Sequence, residues 1–155
     1  MISIQPQFSV FLINKPGVLA SVTSAMAKEH INISALTMTD SVEHGVLRVV
    51  VDKPDRARTL LGKAHDHWAE TDVIVLDLAN QPGTFAKVAR GLADAHISIA
   101  YAYITGGSSR GRSLAVFKVA DMKKAIKVLD DLMPTPKRAK KQTRKTRTGT
   151  KGSGA

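Results

Sequence analysis

The sequence predicts an α+β protein built from two similar βαββαβ units in tandem, followed by a basic tail. The first observation is an internal repeat, because the segment NKPGVLA at residues 14–20 returns 66 residues later as NQPGTFA at residues 80–86. The second is that strand-like and helix-like periodicities follow in the same order around both copies. A period of this length is too long for a solenoid repeat and suits a small domain that has been duplicated.

In the first unit, residues 7–13 alternate with the two-residue period of a strand, which Pro16 and Gly17 then interrupt. A helix follows and is expected to end at His30, a polar substitute for a left-handed glycine. Pro54 opens a second helix, since proline suits a first helical turn. The remaining predicted elements are strands at residues 31–39, 46–51 and around 67–69.

The second unit repeats this order, with strands predicted at residues 73–78, 97–103 and 114–119. One helix follows Gly83 and ends near His96, and the other is capped by Asp121 and covers residues 122–132. Pro134 and Pro136 interrupt the remaining candidate strand, so we expect the closing strand of this unit to be short or absent. In each unit two helices would cover one sheet face, and each unit could cover the other face of its neighbour.

These residues resemble the ACT domain, whose pattern is a strand, then Asn-x-Pro-Gly-x-Leu opening a helix, then Ile-Asn-Ile opening the next strand. Here the pattern is Asn14–Leu19 with Ile31–Ile33, and again Asn80–Phe85 with Ile97–Ile99. The resemblance implies two tandem ferredoxin-like ACT domains packed side by side, at residues 1–70 and 71–133, and a disordered basic tail at residues 134–155. It also implies a protein that binds an amino acid and has no catalytic domain.

The candidate ligand site can be argued from the turn itself, because the first amide groups of a helix lack intrahelical partners and attract a carboxylate. The alternative is architectural, with the turn serving as a corner and Asn14 serving as a helix cap. Some ACT domains carry a histidine where Leu12 and Leu78 stand, so recognition of serine is not expected here. Because Ser98 replaces the counterpart of Asn32 in the second copy, we expect the first copy to bind more strongly. The resemblance assigns ligand contacts to Asn14, Pro16, Gly17, Val18, Leu19 and Asn32, and to Asn80, Pro82, Gly83, Thr84 and Phe85.

Composition narrows the function classes. The chain has no cysteine, which excludes disulfides and thiolate metal sites, and its apolar runs are too short to span a bilayer. No signal peptide is recognised at the N-terminus, so a cytoplasmic protein is expected. No catalytic triad, carboxylate pair or phosphate loop stands out, and His65 with His67 lacks a third metal ligand nearby. We therefore expect no enzyme, no cofactor and no metal site.

Most of the net charge of +10 belongs to the tail. Residues 134–155 contain eight basic residues and no acidic ones, so residues 1–133 contain 15 basic and 13 acidic residues. Such a tail either binds nucleic acid electrostatically or keeps the protein in solution. The resemblance implies an amino acid as ligand, and a regulated enzyme is a candidate partner. One alternative is a regulatory subunit of an amino-acid biosynthetic enzyme such as acetolactate synthase, and another is a nucleic-acid-associated metabolite sensor that binds through its tail. A homodimer is left open. The tail cations are Lys137, Arg138, Lys140, Lys141, Arg144, Lys145, Arg147 and Lys151.

Overall fold

The computed structural model describes residues 1–40, 44–64, 67–106 and 111–133. It is an α+β fold in which four helices cover one face of an antiparallel sheet. The predicted tail, with its eight basic residues, and His65 lie outside the described residues. In chain order the elements are β1 (Ile2–Ile13), α1 (Val18–Lys28), β2 (Ile33–Asp40), β3 (His44–Val51), α2 (Pro54–Ala64), β4 (Trp68–Ala79), α3 (Thr84–Asp94), β5 (Ile99–Thr105), β6 (Arg112–Val119) and α4 (Met122–Leu132).

The sheet has six strands in the order β2-β3-β1-β4-β6-β5, so both units share it. The two central strands, β1 and β4, have 12 residues each and pair from Ile2–Leu76 to Val10–Trp68. The prediction of separate strands at residues 67–69 and 73–78 was wrong, because β4 runs continuously through both. Glu70, Thr71 and Asp72, which lie between the two predicted strands, stay paired with β1. The predicted boundary between residues 70 and 71 therefore lies inside a strand.

The fourth strand of the second unit comes from the start of the chain. The N-terminal half of β1, which was not expected to be a strand before Gln7, lies beside β4 where this unit needs its closing strand. Ile2 packs against the core beneath α3 and α4. Through Met133, where the described C-terminal part ends, no strand follows α4. Local sequence after α4 could not reveal a strand that lies 120 residues earlier in the chain.

The helix ends agree with the predictions. His30 and His96 have φ of 54° and 57°, so both adopt the left-handed conformation that follows a helix. Around His30 the backbone forms a Schellman motif: the His30 N–H donates to the Ala27 carbonyl at 2.9 Å and the Ile31 N–H to the Met26 carbonyl at 2.9 Å. The same pair of bonds follows α3. α2 begins at Pro54, and the Asp121 carboxylate accepts a hydrogen bond from the Lys124 N–H at 3.0 Å.

The centre of the helix-free sheet face is also buried. The two edge strands, β2 and β5, approach each other, so the sheet curls around this face. Each unit thus covers part of the other, as the sequence suggested. The buried side chains on this face form a core separate from those under the helices. Because full burial of an aliphatic side chain stabilises a fold by about 1.5–3 kcal/mol, this core joins the two units tightly. Its buried members are Ala35, Val50, Val73, Val75 and Val116, with Tyr103 and Leu114 packed against them.

Candidate functional site

The two Asn-x-Pro-Gly turns have the same backbone geometry. Gly17 and Gly83 are the residues before α1 and α3, and both have a φ of 86°. A side chain added at either position would meet no described atom within 4 Å. The glycines are therefore required by the left-handed conformation, which other residues rarely adopt, rather than by a close contact.

Neither helix has a side-chain cap from the described residues, so Asn14 does not act as a helix cap. This weakens the purely architectural interpretation of Asn14. The first amide group of each helix donates within its turn, from Val18 to the Lys15 carbonyl at 3.4 Å and from Thr84 to the Gln81 carbonyl at 3.3 Å. Phe85 differs from the other predicted contacts, since its ring stacks on Phe117 with centroids 5.2 Å apart. Of the remaining turn residues, Asn14, Pro16, Gly17, Leu19, Asn80, Pro82 and Gly83 are exposed, and Val18 and Thr84 are half-buried.

The structure places the two turns at opposite ends of the sheet. Because β1 and β4 are antiparallel, the chain leaves them in opposite directions. Ile13 and Ala79 are each seven residues from the central pair Pro6–Asp72, so about 45 Å of strand would separate them if the sheet were flat. The predicted contacts therefore belong to two separate places.

Asn32 does not lie beside Asn14 either. It precedes β2, whose first residue Ile33 pairs with Val51, whereas Asn14 follows Ile13, which pairs with His44 at the other end of β3. The resemblance assigns both asparagines to ligand contacts, but they cannot contact one ligand here, because they lie at opposite ends of β3. The Asn32 N–H donates to the Asp52 carboxylate at 2.8 Å.

The start of β2 instead reaches the other unit. A cavity of about 400 Å³ brings Ser34 of β2 together with Asp77 of β4 and the ends of β5 and β6. The second turn adjoins this cavity, since the Asn80 N–H donates to the Gly111 carbonyl at 2.8 Å, next to Arg112. The remaining lining residues are Thr105, Gly106, Arg112, Ser113 and Leu114.

This cavity contains both signs of charge. The Arg112 guanidinium donates from Nε to Asp77 Oδ1 at 2.7 Å and from Nη2 to the Asp77 carbonyl oxygen at 2.7 Å. Both side chains are nearly half exposed, and an exposed ion pair contributes only about 0–1 kcal/mol. A charged ligand can therefore compete for either partner at small cost. Ser113 Oγ is buried and has no hydrogen-bond partner among the described residues.

The equivalent place in the first unit has a different character. The repeat offset aligns Asp77 with Phe11, and the strand registers align Arg112 with His44. Phe11 is 49% exposed and its neighbour Ile13 is 56% exposed. The first end of the sheet thus has exposed apolar side chains and His44 where the second has Asp77 and Arg112.

Sequence reasoning missed Ser34, Asp77 and Arg112. A signal for Asp77 was available, since it is a lone acidic residue in the apolar run VIVLDL at residues 73–78. The histidine positions of some ACT domains, Leu12 and Leu78, are buried in the helix-side cores here. A larger cavity of about 510 Å³ lies between α1 and α2 and is lined by Glu29, Asp55, Arg56, Thr59, Leu60 and Lys63, away from both turns.

Across the described ranges there is no cluster of three side chains suited to a metal ion. The helices of the described residues are too short or too polar to cross a bilayer.

Comparison with known proteins identifies the family. A family model described as an ACT domain pair matches residues 2–133. The crystal structure of protein BT0572 from Bacteroides thetaiotaomicron is 35% identical, with 84% of this chain and 89% of that chain covered and a TM-score of 0.77.

The regulatory subunit of aspartate kinase from Thermus thermophilus shares the fold at 16% identity, over 86% of this chain and 97% of that chain, with a TM-score of 0.62. A search of curated proteins gives no match. By the family match over residues 2–133, the chain belongs to the ACT domain family, as a pair of ACT domains.

Proposed function

We propose that this ACT domain pair is a regulatory protein without catalytic activity, and that it binds a small amino acid in the cavity beside Asp77 and Arg112. The observation that carries the proposal is the presence of a carboxylate and a guanidinium at one cavity of about 400 Å³. A free amino acid has one ammonium and one carboxylate group. The Asp77 carboxylate suits the ammonium, and the Arg112 guanidinium suits the carboxylate.

The second turn adds groups to the same end of the sheet. The uncapped N-terminus of α3 offers amide groups that favour a carboxylate. We therefore place Asn80, Pro82, Gly83 and Thr84 at the rim of the site. Phe85 acts indirectly, by packing on Phe117 and fixing the turn. Ser34, near the start of β2, contributes from the first unit, and we place Asn32, two residues before it, beside the site.

The first turn forms a second, unequal position. Its residues Asn14, Pro16, Gly17, Val18 and Leu19 lie beside the exposed apolar side chains of Phe11 and Ile13, and Phe11 occupies the position that Asp77 has in the second unit. We expect this end to bind an amino acid weakly.

Ligand binding would be transmitted to a partner. Both units line the cavity, so a bound amino acid stabilises one packing of the units over others. The shared fold with a regulatory subunit of aspartate kinase supports an enzyme of amino-acid biosynthesis as that partner. Acetolactate synthase remains the example drawn from the sequence resemblance. We place the protein in the cytoplasm, and a homodimer stays open.

A thermal-shift screen with each of the twenty amino acids tests the proposal. A ligand of the native state raises the unfolding free energy by about 2.7 kcal/mol at a concentration 100 times its Kd. Asp77→Asn and Arg112→Ala should then abolish most of the shift. Asp72→Asn is the matched control, because Asp72 is an exposed carboxylate on the same strand outside the cavity. Unchanged binding by both cavity variants would place the ligand elsewhere.

A further inference from the structure

A buried glutamine connects the two units across the helix-free face of the sheet. Gln7 on β1 is fully buried. Its Nε2 donates to Tyr101 Oη at 2.6 Å, and its Oε1 accepts from Tyr103 Oη at 2.9 Å. Both tyrosines belong to β5, at the far edge of the second unit. A buried amide that lost these partners would be costly, so the contact favours one arrangement of β5 over others.

These hydrogen bonds require the sheet to curl. Three strand spacings separate β1 from β5 in the sheet order, which is about 14 Å in a flat sheet. Arg48 on β3 is one strand further away, yet its guanidinium lies 4.5 Å from the centre of the Tyr101 ring. The side chains of β5 therefore fold back over the first unit.

The repeat shows that this polar contact occurs in one half of the face. The positions equivalent to Gln7, Tyr101 and Arg48 are Val73, Ala35 and Val116, and all three belong to the apolar cluster on this face. In that half, β2 lies over the second unit by apolar packing. In the other half, β5 lies over the first unit by hydrogen bonds and a cation–π contact, which depend more strongly on geometry.

The hydrogen-bonded half adjoins the proposed ligand cavity. Tyr103 is two residues from Thr105, so both point to the same face of β5, and Thr105 lines the cavity. Leu114 lines the cavity and also packs in the apolar cluster. A shift of β5 over β1 would therefore move one wall of the cavity.

We propose that Gln7, Tyr101 and Tyr103 form a latch that holds β5 over the first unit and thereby positions the β5 wall of the cavity. The latch itself follows from the hydrogen bonds and does not need a ligand. Its effect on affinity rests on the proposed function. Burial raises the pKa of Tyr103 above that of a free tyrosine, so its hydroxyl remains a donor at neutral pH.

Amide hydrogen exchange on the ligand-free chain tests the latch. Tyr103→Phe leaves Gln7 Oε1 without its donor, and we expect the β5 amides to exchange about tenfold faster or more, while α1 and β3 keep their wild-type rates. Tyr101→Phe, which keeps the ring beneath Arg48, should act in the same direction. Val22→Ala is the control, because Val22 is buried in the core under α1, away from the cavity.

A selective loss of protection in β5 supports the latch. For each variant, the increase in β5 amide exchange is compared with the increase in the other elements. If this ratio is no larger in Tyr103→Phe than in Val22→Ala, the latch is overturned.

The second measurement is calorimetry on wild type, Tyr103→Phe and Val22→Ala, with glycine and L-alanine as probes, because each carries the ammonium and carboxylate groups that Asp77 and Arg112 would bind and has a small side chain. If the latch positions the cavity wall, Tyr103→Phe should bind about tenfold more weakly and Val22→Ala should keep the wild-type affinity. The reason is that fewer Tyr103→Phe molecules have β5 held over the first unit, and a smaller binding-competent population lowers the apparent affinity. Equal affinities in the two variants would overturn the link to the cavity. If wild type binds neither probe, the proposed function fails for these ligands, and the exchange measurement still decides the latch.

Discussion

Pro6 on β1 and Asp72 on β4 are paired directly across the centre of the sheet, and they are 66 residues apart, which is the repeat spacing. Equivalent residues of the two units thus face each other here, so an approximate two-fold axis passes between them. From this point each central strand continues into its own unit in one direction and into the other unit in the opposite direction. Neither unit has a complete four-stranded sheet without the other.

The first prediction tests this sharing of strands. Ile2 packs on the core of the second unit, whereas Ile4, on the same strand and face, is 48% exposed. We expect Ile2→Ala to lower the unfolding free energy by about 1–2 kcal/mol, below the 2–5 kcal/mol of a fully buried isoleucine, and Ile4→Ala to lower it by about 0.5 kcal/mol or less. Urea denaturation measures both. Equal losses of unfolding free energy in the two variants would mean that the N-terminus contributes only its backbone pairing with β4 and not the packing of Ile2.

The sequence predicted correctly those features that depend on residues close together in the chain. Pro-Gly at a strand end, the left-handed residue after a helix and Asp121 before α4 each act within a few residues, and the structure has all three. The closing strand and the cavity depend on residues that are far apart in the chain. Nothing near Ile2 indicates β4 as its neighbour, and nothing near Ser34 indicates Asp77. These contacts arise because β1 and β4 are shared and the sheet curls.

The second prediction concerns the left-handed histidines. The left-handed conformation costs a residue with a Cβ about 1–2 kcal/mol relative to glycine. Replacing histidine by glycine recovers only part of this energy, because glycine loses more conformational freedom on folding. We therefore expect His30→Gly and His96→Gly each to stabilise the fold by about 0.5–1 kcal/mol. His30→Ala and His96→Ala keep the strain and should not stabilise. Thermal denaturation of the four variants measures this, and a stabilising alanine would point to an unfavourable imidazole instead.

The third prediction concerns pH. Burial raises the pKa of Tyr103 in the folded protein above the unfolded value of about 10. Tyr103 therefore contributes its full stability below pH 10 and loses it as the pH rises further, because the unfolded chain releases this proton first. The slope contributed is at most about 1.4 kcal/mol per pH unit. Tyr103→Phe should remove this part of the alkaline destabilisation. Identical slopes for wild type and variant between about pH 10 and 11 would contradict it.

The fourth prediction concerns the basic tail. Eight cations without acidic neighbours should bind duplex DNA weakly and without sequence preference. If about six phosphates are neutralised, the logarithm of affinity should fall against the logarithm of salt with a slope near −5. Deleting residues 134–155 should abolish binding and preserve the stability of the ACT pair. Fluorescence anisotropy at several salt concentrations measures the slope, and equal DNA binding by the shortened chain would place the contact on the body.

The last prediction compares the two ends of the sheet, and it rests on the proposed function. The sequence favoured the first copy, because Asn32 has Ser98 as its counterpart. The cavity favours the second copy, since Asp77 and Arg112 lie beside Asn80 and the first end has Phe11 at the equivalent position. Asn80→Ala should therefore weaken amino-acid binding by about tenfold, or 1.4 kcal/mol, whereas Asn14→Ala should leave the main affinity nearly unchanged.

Calorimetry on both folded variants, with the amino acid that stabilises wild type most, measures this and also gives the number of strong sites, which we expect to be one per chain. Phe11→Asp serves as a charge control at the first end, because it introduces a carboxylate there without an adjacent arginine. A larger loss in Asn14→Ala than in Asn80→Ala would restore the first copy as the principal site. Two equal strong sites would show that the ion pair does not select between the ends.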